Sequence, residues 1–266
     1  MRNQAESTLP SVSGSPSSRK INILLVNPNS TEYMTNACLQ AIAPNLPSDV
    51  IVYGFTAPRP GPTAIESQTD AVLSTEACIR AIAPIAGNYD AFLVACFRAH
   101  PLIGVLKEEF SQPALGIMEA ALYSSRMLGD RLGIICTSAR SLVAHRHAVS
   151  AYGFSEYFAG CESAQLGVLE LDSKPKEEVH AIISQKVDRL VKERGADCVL
   201  LGCAGMTEMR TICEAVVEGT GVRVLDGVGL GIQLLVGLVR ENMKTAKSGL
   251  YKDSSAGRSK RGQSWL

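Results

Sequence analysis

Two cysteines sit in matching frames. One frame reads Asp90-Ala-Phe-Leu-Val-Ala-Cys96 and the other Asp197-Cys-Val-Leu-Leu-Gly-Cys203. In each, an Asp opens a short apolar run and a Cys closes it six positions later. A free thiol titrates near pH ~8.5, close enough to neutrality for its surroundings to tune. A thiolate on one face of a carbon acid can remove a proton while a thiol on the opposite face returns one, which inverts the stereocentre. The acidic carbon lies beside a carbonyl, so the step needs a placed base and stabilisation of the enolate-like charge that develops. This chemistry requires neither a metal nor an organic cofactor. The chain carries no G-x-G-x-x-G, no Walker A loop and no H-E-x-x-H, and none of its eight cysteines shows C-x-x-C spacing.

The elements that position the two thiols follow from the apolar runs. A short apolar run bounded by polar or small residues fits a strand buried on both faces of a parallel sheet. Each Cys then falls at the carboxyl end of its strand, where open α/β sheets place their chemistry. Around these runs, strands and helices alternate. Strands are expected at Ile21 to Val26, Asp49 to Phe55, 90–96, Ala114 to Ile117, Arg131 to Cys136, near Phe154 to Phe158, 197–203 and Gly221 to Leu225. Helices are expected from Ser30 or Thr31 to Ala43, Glu66 to Ile85, after Pro101, after Ser138, Pro175 to Arg194, from about Met206, and Val228 to Met243.

The pattern repeats once. Arg131 to Cys136 resembles the first strand, and Thr137-Ser138 stands where Asn27-Pro28 stood. Asn27 and Thr137 are 110 positions apart, Cys96 and Cys203 107. The class is α/β, with two similar Rossmann-like half-domains, parallel sheets, a pseudo-twofold relation and a site in the cleft between them. Residues 21–117 make the first half, with 226–245 packing back on it, and 118–225 the second. Residues 1–20, rich in Ser and Pro, are expected to be a disordered tail and 246–266 a flexible one.

Composition narrows the partners. Lys plus Arg and Asp plus Glu are each 26, so no global field draws nucleic acid or an anionic membrane. No apolar stretch approaches the ~20 residues that span a bilayer, and no signal core opens the chain. The last residues, Ser264-Trp265-Leu266, are not a clean peroxisomal signal. The expectation is a cytoplasmic protein with reduced thiols and a small-molecule ligand, and a homo-oligomer stays open.

Other residues extend the candidate site. Each thiol precedes an expected helix start, whose N–H groups favour negative charge. Gly205 lets backbone approach a ligand. Asn27, Thr137 and Ser138 end the first strand of each half and suit a polar, uncharged ligand. Phe97, Arg98 and Ala204 flank the thiols, and Arg98 with His100 could hold a carboxylate. Cys136 ends a strand near the cleft. Cys38, Cys78, Cys161, Cys198 and Cys213 read as small core residues. His145, His147 and His180 read as solvent-exposed helix residues, His100, Glu119 and Asp226 as helix caps.

Three segments carry a family resemblance: Asn27-Pro-Asn-Ser-Thr31 with Met34-Thr35, Ala95-Cys96-Phe97, and Leu201-Gly-Cys-Ala-Gly-Met206. Gly116 to Ala120 and Ile134 to Thr137 fit the same pattern. Over about Ile21 to Glu241 the chain resembles the aspartate/glutamate/hydantoin racemase superfamily, in its hydantoin and allantoin branch. The resemblance implies that Cys96 and Cys203 are the acid/base thiols and that the substrate is a 5-substituted hydantoin or allantoin-like ring. Amino-acid racemases carry Asn-Thr and Thr-His after the two cysteines, where this chain has Phe97-Arg98 and Ala204-Gly205. Bacterial hydantoin racemases tend to have acidic residues and Gly after the first Cys, where this chain has Arg98 and His100. That departure leaves a same-fold decarboxylase or isomerase of a carboxylate-bearing molecule as the alternative.

Overall fold

The computed structural model describes Pro10, Val12 and residues 19–263; the expectation for the amino-terminal tail, like that for Ser264 to Leu266, falls largely outside these residues. The first sheet contains β1 (Ile21–Asn27), β2 (Val50–Thr56), β3 (Ala91–Val94) and β4 (Ala114–Gly116) in the order β2-β1-β3-β4. The second contains β5 (Leu132–Cys136), β6 (Phe158–Ser163), β7 (Cys198–Leu201) and β8 (Arg223–Leu225) in the order β6-β5-β7-β8. Every pairing is parallel. These are two copies of one topology, the α/β class that the alternating runs predict.

The helices follow in chain order as α1 (Glu32–Ile42), α2 (Gln68–Ile82), α3 (Pro101–Glu109), α4 (Ile117–Leu128), α5 (Ala139–Ala151), α6 (Glu170–Ser173), α7 (Lys176–Lys192), α8 (Arg210–Val216), α9 (Gly227–Arg240) and α10 (Ser255–Lys260). Their starts are chemically marked. Ser67 accepts from Asp70 N while Asp70 accepts from Ser67 N at α2. Ser138 accepts from Ser141 N at α5, and Asp226 from Val228 N and Gly229 N at α9. Glu119 accepts from Gly116 N at the start of α4. Asp226 and Glu119 therefore serve as expected, at helix starts. The helix expected from Met206 starts instead as a 3-10 turn at Ala204–Met209 before α8.

The Asp that opens each cysteine frame now has a cause. Asp90 accepts from Asn22 N at 2.9 Å and its own N–H donates to Asn22 O. Asp197 accepts from Asp130 N and Arg131 N at 2.8 and 2.9 Å and its N–H donates to Arg131 O. In both halves the carboxylate fixes the register of the cysteine strand against the half's first strand. One position departs from the match: Gly202 stands where the first half has Ala95, and a Cβ there would lie 2.2 Å from Ile135 O, so the second sheet closes at that point only with Gly.

Register also corrects one equivalence. Val26 pairs with Val94 and Ile135 with Leu201, each partner two residues before its cysteine. Ala57 N donates to Asn27 O, as Ala164 N does to Cys136 O. The counterpart of Asn27 is therefore Cys136, not Thr137.

Two further expectations change. The strand placed near Phe154 to Phe158 begins only at Phe158: Gly153, at φ +80, ends the helical turn and a 3-10 turn takes Ser155–Tyr157. The segment after Met243, expected to be flexible, docks on the first half. Thr245 N donates to Ser111 O, Lys247 Nζ bonds the carbonyls of Lys107 and Glu108, and Arg258 makes a two-pronged ion pair with Glu109 at 2.6 Å. Helix α9 lies against α4, β1, β3 and α1, with Gly231 set close upon Leu93. Among the described residues no helix is long and apolar enough to cross a membrane.

Candidate active site

Both frames deliver their thiols to one cavity. Cys96 and Cys203 line it together with Phe97, Arg98, Thr137 and Ala204, all expected, and with Asn29, Met34, Ser141, His145 and Val168. The location follows from topology. In each sheet the chain leaves the first strand, adds one neighbour on one side and crosses to the other, so the crevice opens at the carboxyl ends of β1 and β3, and of β5 and β7. The loops after β2 and β6 meet over it, where Val168 N donates to Glu66 Oε1 at 3.0 Å. On a further side Tyr33 of α1 donates to Glu208 at 3.2 Å, tying the first half to the second.

Burial dominates the two thiols. It pushes Cys96 up to about 12, opposed by the nearby Arg98 guanidinium and reinforced by the charge of a Cys203 thiolate. It pushes Cys203 up to about 11, opposed by a hydrogen bond from Gly205 N–H. Cys203 is the residue that caps the 3-10 turn, so the expected help from a helix start is present there. It is missing at Cys96. Cys96 N donates to Val94 O and Arg98 N to Cys96 O, two tight turns in succession, and α3 begins only after His100. In the resting protein both groups are neutral thiols at pH 7.

Three expected site residues lie elsewhere. Asn27 is buried and its amide is spent on its own loop: Nδ2 donates toward Asn29 Oδ1, Thr31 O and Thr35 Oγ1, and Oδ1 accepts from Asn29 N. Asn29, two residues on, faces the cavity instead. Ser138 caps α5 and stays outside the lining. Gly205 borders a neighbouring cavity of about 360 Å³, which shares Met34 and Val168 with the first and also contacts the half-buried His180.

The histidines divide. His100 caps α3: Leu102 N donates to Nδ1, which must be unprotonated, so Nε2–H is left to donate to Ser74 Oγ, whose hydroxyl bonds Ala71 O. Burial and Arg98 hold it down at about 4. His100 is thus a neutral cap with both nitrogens engaged and holds no carboxylate. His147 is exposed as expected. His145 is not: it is 2% exposed, with its ring 5.3 Å from that of Phe97. The signal was present, since Ser141, His145, Ala148 and Val149 form one buried helical stripe.

Residues 23–235 match the model of the Asp/Glu/hydantoin racemase family. The chain belongs to that family. By that membership it is an isomerase of the racemase type. An uncharacterized Schizosaccharomyces pombe protein, C1F7.10, is 39% identical over 233 residues, covering 87% of this chain and 98% of its own. A hydantoin racemase of Pseudomonas sp. strain NS671 is 31% identical over 231 residues, covering 86% and 90%. Among solved structures, the allantoin racemase of Klebsiella pneumoniae superposes with a TM-score of 0.80 at 25% identity over 89% of this chain and 94% of that one.

Proposed function

We propose that the protein racemises hydantoin-like rings, 5-substituted hydantoins or allantoin, by proton transfer between Cys96 and Cys203 across the C5 carbon. The observation that carries this is the convergence of the two matched thiols, one from each half, on a single cavity. One sulfur, as thiolate, takes the C5 proton. The electron pair moves onto the adjacent carbonyl oxygen. The other thiol returns its own proton from the opposite face, and the two sulfurs exchange protonation states. Thr137, Ser141 and Asn29 offer neutral hydrogen-bonding groups to the ring amides.

The lining favours a neutral ring over an amino acid. Among the described residues no carboxylate lines the cavity to hold an ammonium group, and Arg98 is the one fixed charge. The neighbouring cavity behind Met34 and Val168 gives room for a bulky C5 substituent. The alternative, a carboxylate-bearing substrate, keeps Arg98 as its support and loses His100.

The test is polarimetric. Single enantiomers of 5-benzylhydantoin and of allantoin should lose optical rotation faster than the uncatalysed background. Arylmalonate-type and maleate-type acids should pass unchanged. Turnover of an acid with no racemisation of either ring contradicts the proposal.

A further inference from the structure

One cluster beside the cavity has no part in this chemistry. Cys136 closes β5. Cys161 lies on β6, opposite Ile134 in the parallel register, so the two cysteines are diagonal neighbours on one face of the sheet. His145 comes from α5, the helix that joins these two strands and packs across β6. One β-α-β unit therefore supplies two sulfurs and an imidazole. All three ligand atoms lie within 4.8 Å of one another, and all three residues are buried. His145 Nδ1 is buried without a hydrogen-bond partner, an orphan of a kind that folded proteins seldom leave.

We propose that Cys136, His145 and Cys161 form a binding site for a single thiophilic transition-metal ion of the zinc class. Two thiolates and an imidazole are the soft donor set that such ions select. Two thiolate charges cancel a divalent cation, so the buried site carries no net charge. Binding forms two metal–sulfur bonds and one metal–nitrogen bond and releases both thiol protons to solvent. Ser163, the nearest hydroxyl on β6, is already spent: it donates to Thr137 O and accepts from Gln165 N, both at 3.0 Å. The fourth position is left to water or a small anion. Linear spacing hides the site because the ligands come from three consecutive elements rather than from one short motif. Through the ring contact of His145 with Phe97, a bound ion braces the wall next to Cys96.

The test titrates the reduced, full-length protein with Co²⁺. The expected result is saturation at a single ion per chain, with thiolate-to-cobalt charge-transfer absorption, tetrahedral d–d bands, release of about two protons per ion and displacement by Zn²⁺. Cys161→Ala and His145→Gln should each weaken binding by roughly a hundredfold, whereas the Cys96→Ser/Cys203→Ser pair should leave the titration unchanged. Far-UV circular dichroism checks that each variant is folded; if Cys161→Ala is not, His145→Gln decides. Absence of saturable binding overturns the proposal. So does binding that survives in His145→Gln and disappears with the Cys96/Cys203 pair, which would put the metal on the catalytic thiols.

Discussion

At the scale of single residues, the proposed racemisation divides one task between the two thiols, so that neither suffices alone. Replacing Cys96 or Cys203 by Ser swaps a tunable acid for a hydroxyl that does not ionise near neutrality. Each variant should lose about 10²–10⁴-fold in racemisation kcat, measured polarimetrically on 5-benzylhydantoin, with an unchanged fold by circular dichroism. The pH profile carries a second expectation. Burial raises both thiols, to about 12 and about 11, so the neutral form prevails at pH 7 and thiolate grows as pH rises. Since the free enzyme must supply one thiolate, kcat/KM should climb about tenfold per pH unit between pH 7 and 9. A profile flat over that range would show that a thiolate already exists at neutrality. The frames of these residues were legible in the sequence because both cysteine strands obey one rule, an Asp that accepts from the neighbouring strand's N–H groups. His145 reads as exposed because its helix carries Arg140, Arg146 and His147 beside the stripe that it buries.

At the scale of elements, the close approach of β5 and β7 sets the cavity wall. Gly202→Ala forces a methyl group 2.2 Å from the Ile135 carbonyl oxygen, a backbone atom that cannot swing aside. Gly205→Ala, three residues on, brings its methyl only to 3.3 Å from Leu171 Cδ1 and 3.7 Å from Cys203 Sγ, a contact that side chains absorb. Urea unfolding should show a loss of about 3 kcal/mol for Gly202→Ala and under about 1 for Gly205→Ala. Similar losses for both would contradict this account of the wall. Element order could be read from apolar runs because strands buried on both faces need them. The bounds of β6 could not: it is an edge strand whose Gly160, Glu162 and Ser163 break the pattern, and Glu162 is held by Arg189 and Arg194 at 3.4 and 3.3 Å, partners brought near only by the fold.

At the scale of the whole molecule, two equivalent sheets share one cleft, and a thiol-rich interior sets the alkaline limit. Burial pushes Cys38, Cys78, Cys96, Cys198, Cys203 and Cys213 above the ordinary thiol range. Above that range the unfolded chain releases thiol protons that the native chain keeps, so unfolding gains free energy as pH rises. Thermal stability should fall steadily beyond about pH 9, and a Tm unchanged to pH 10.5 (about one and a half units above that threshold) would contradict it. The carboxyl-terminal segment shows where composition misleads at this scale. Its Lys, Ser and Gly content reads as solvated chain, yet the anchors are polar: Lys247 on the carbonyls ending α3 and Arg258 on Glu109. Hydropathy carries no sign of such docking.

The two-thiol exchange is tested most directly by racemising a single enantiomer of 5-benzylhydantoin in deuterated water and analysing the first few per cent of conversion. The prediction is deuterium at C5 throughout the inverted product, delivered by the second thiol, while the unconverted enantiomer keeps its protium apart from the uncatalysed background. Deuterium entering the unconverted enantiomer as fast as the product, or substrate-derived protium carried into the product, would mean that one group serves both faces, and the paired roles of Cys96 and Cys203 would fall.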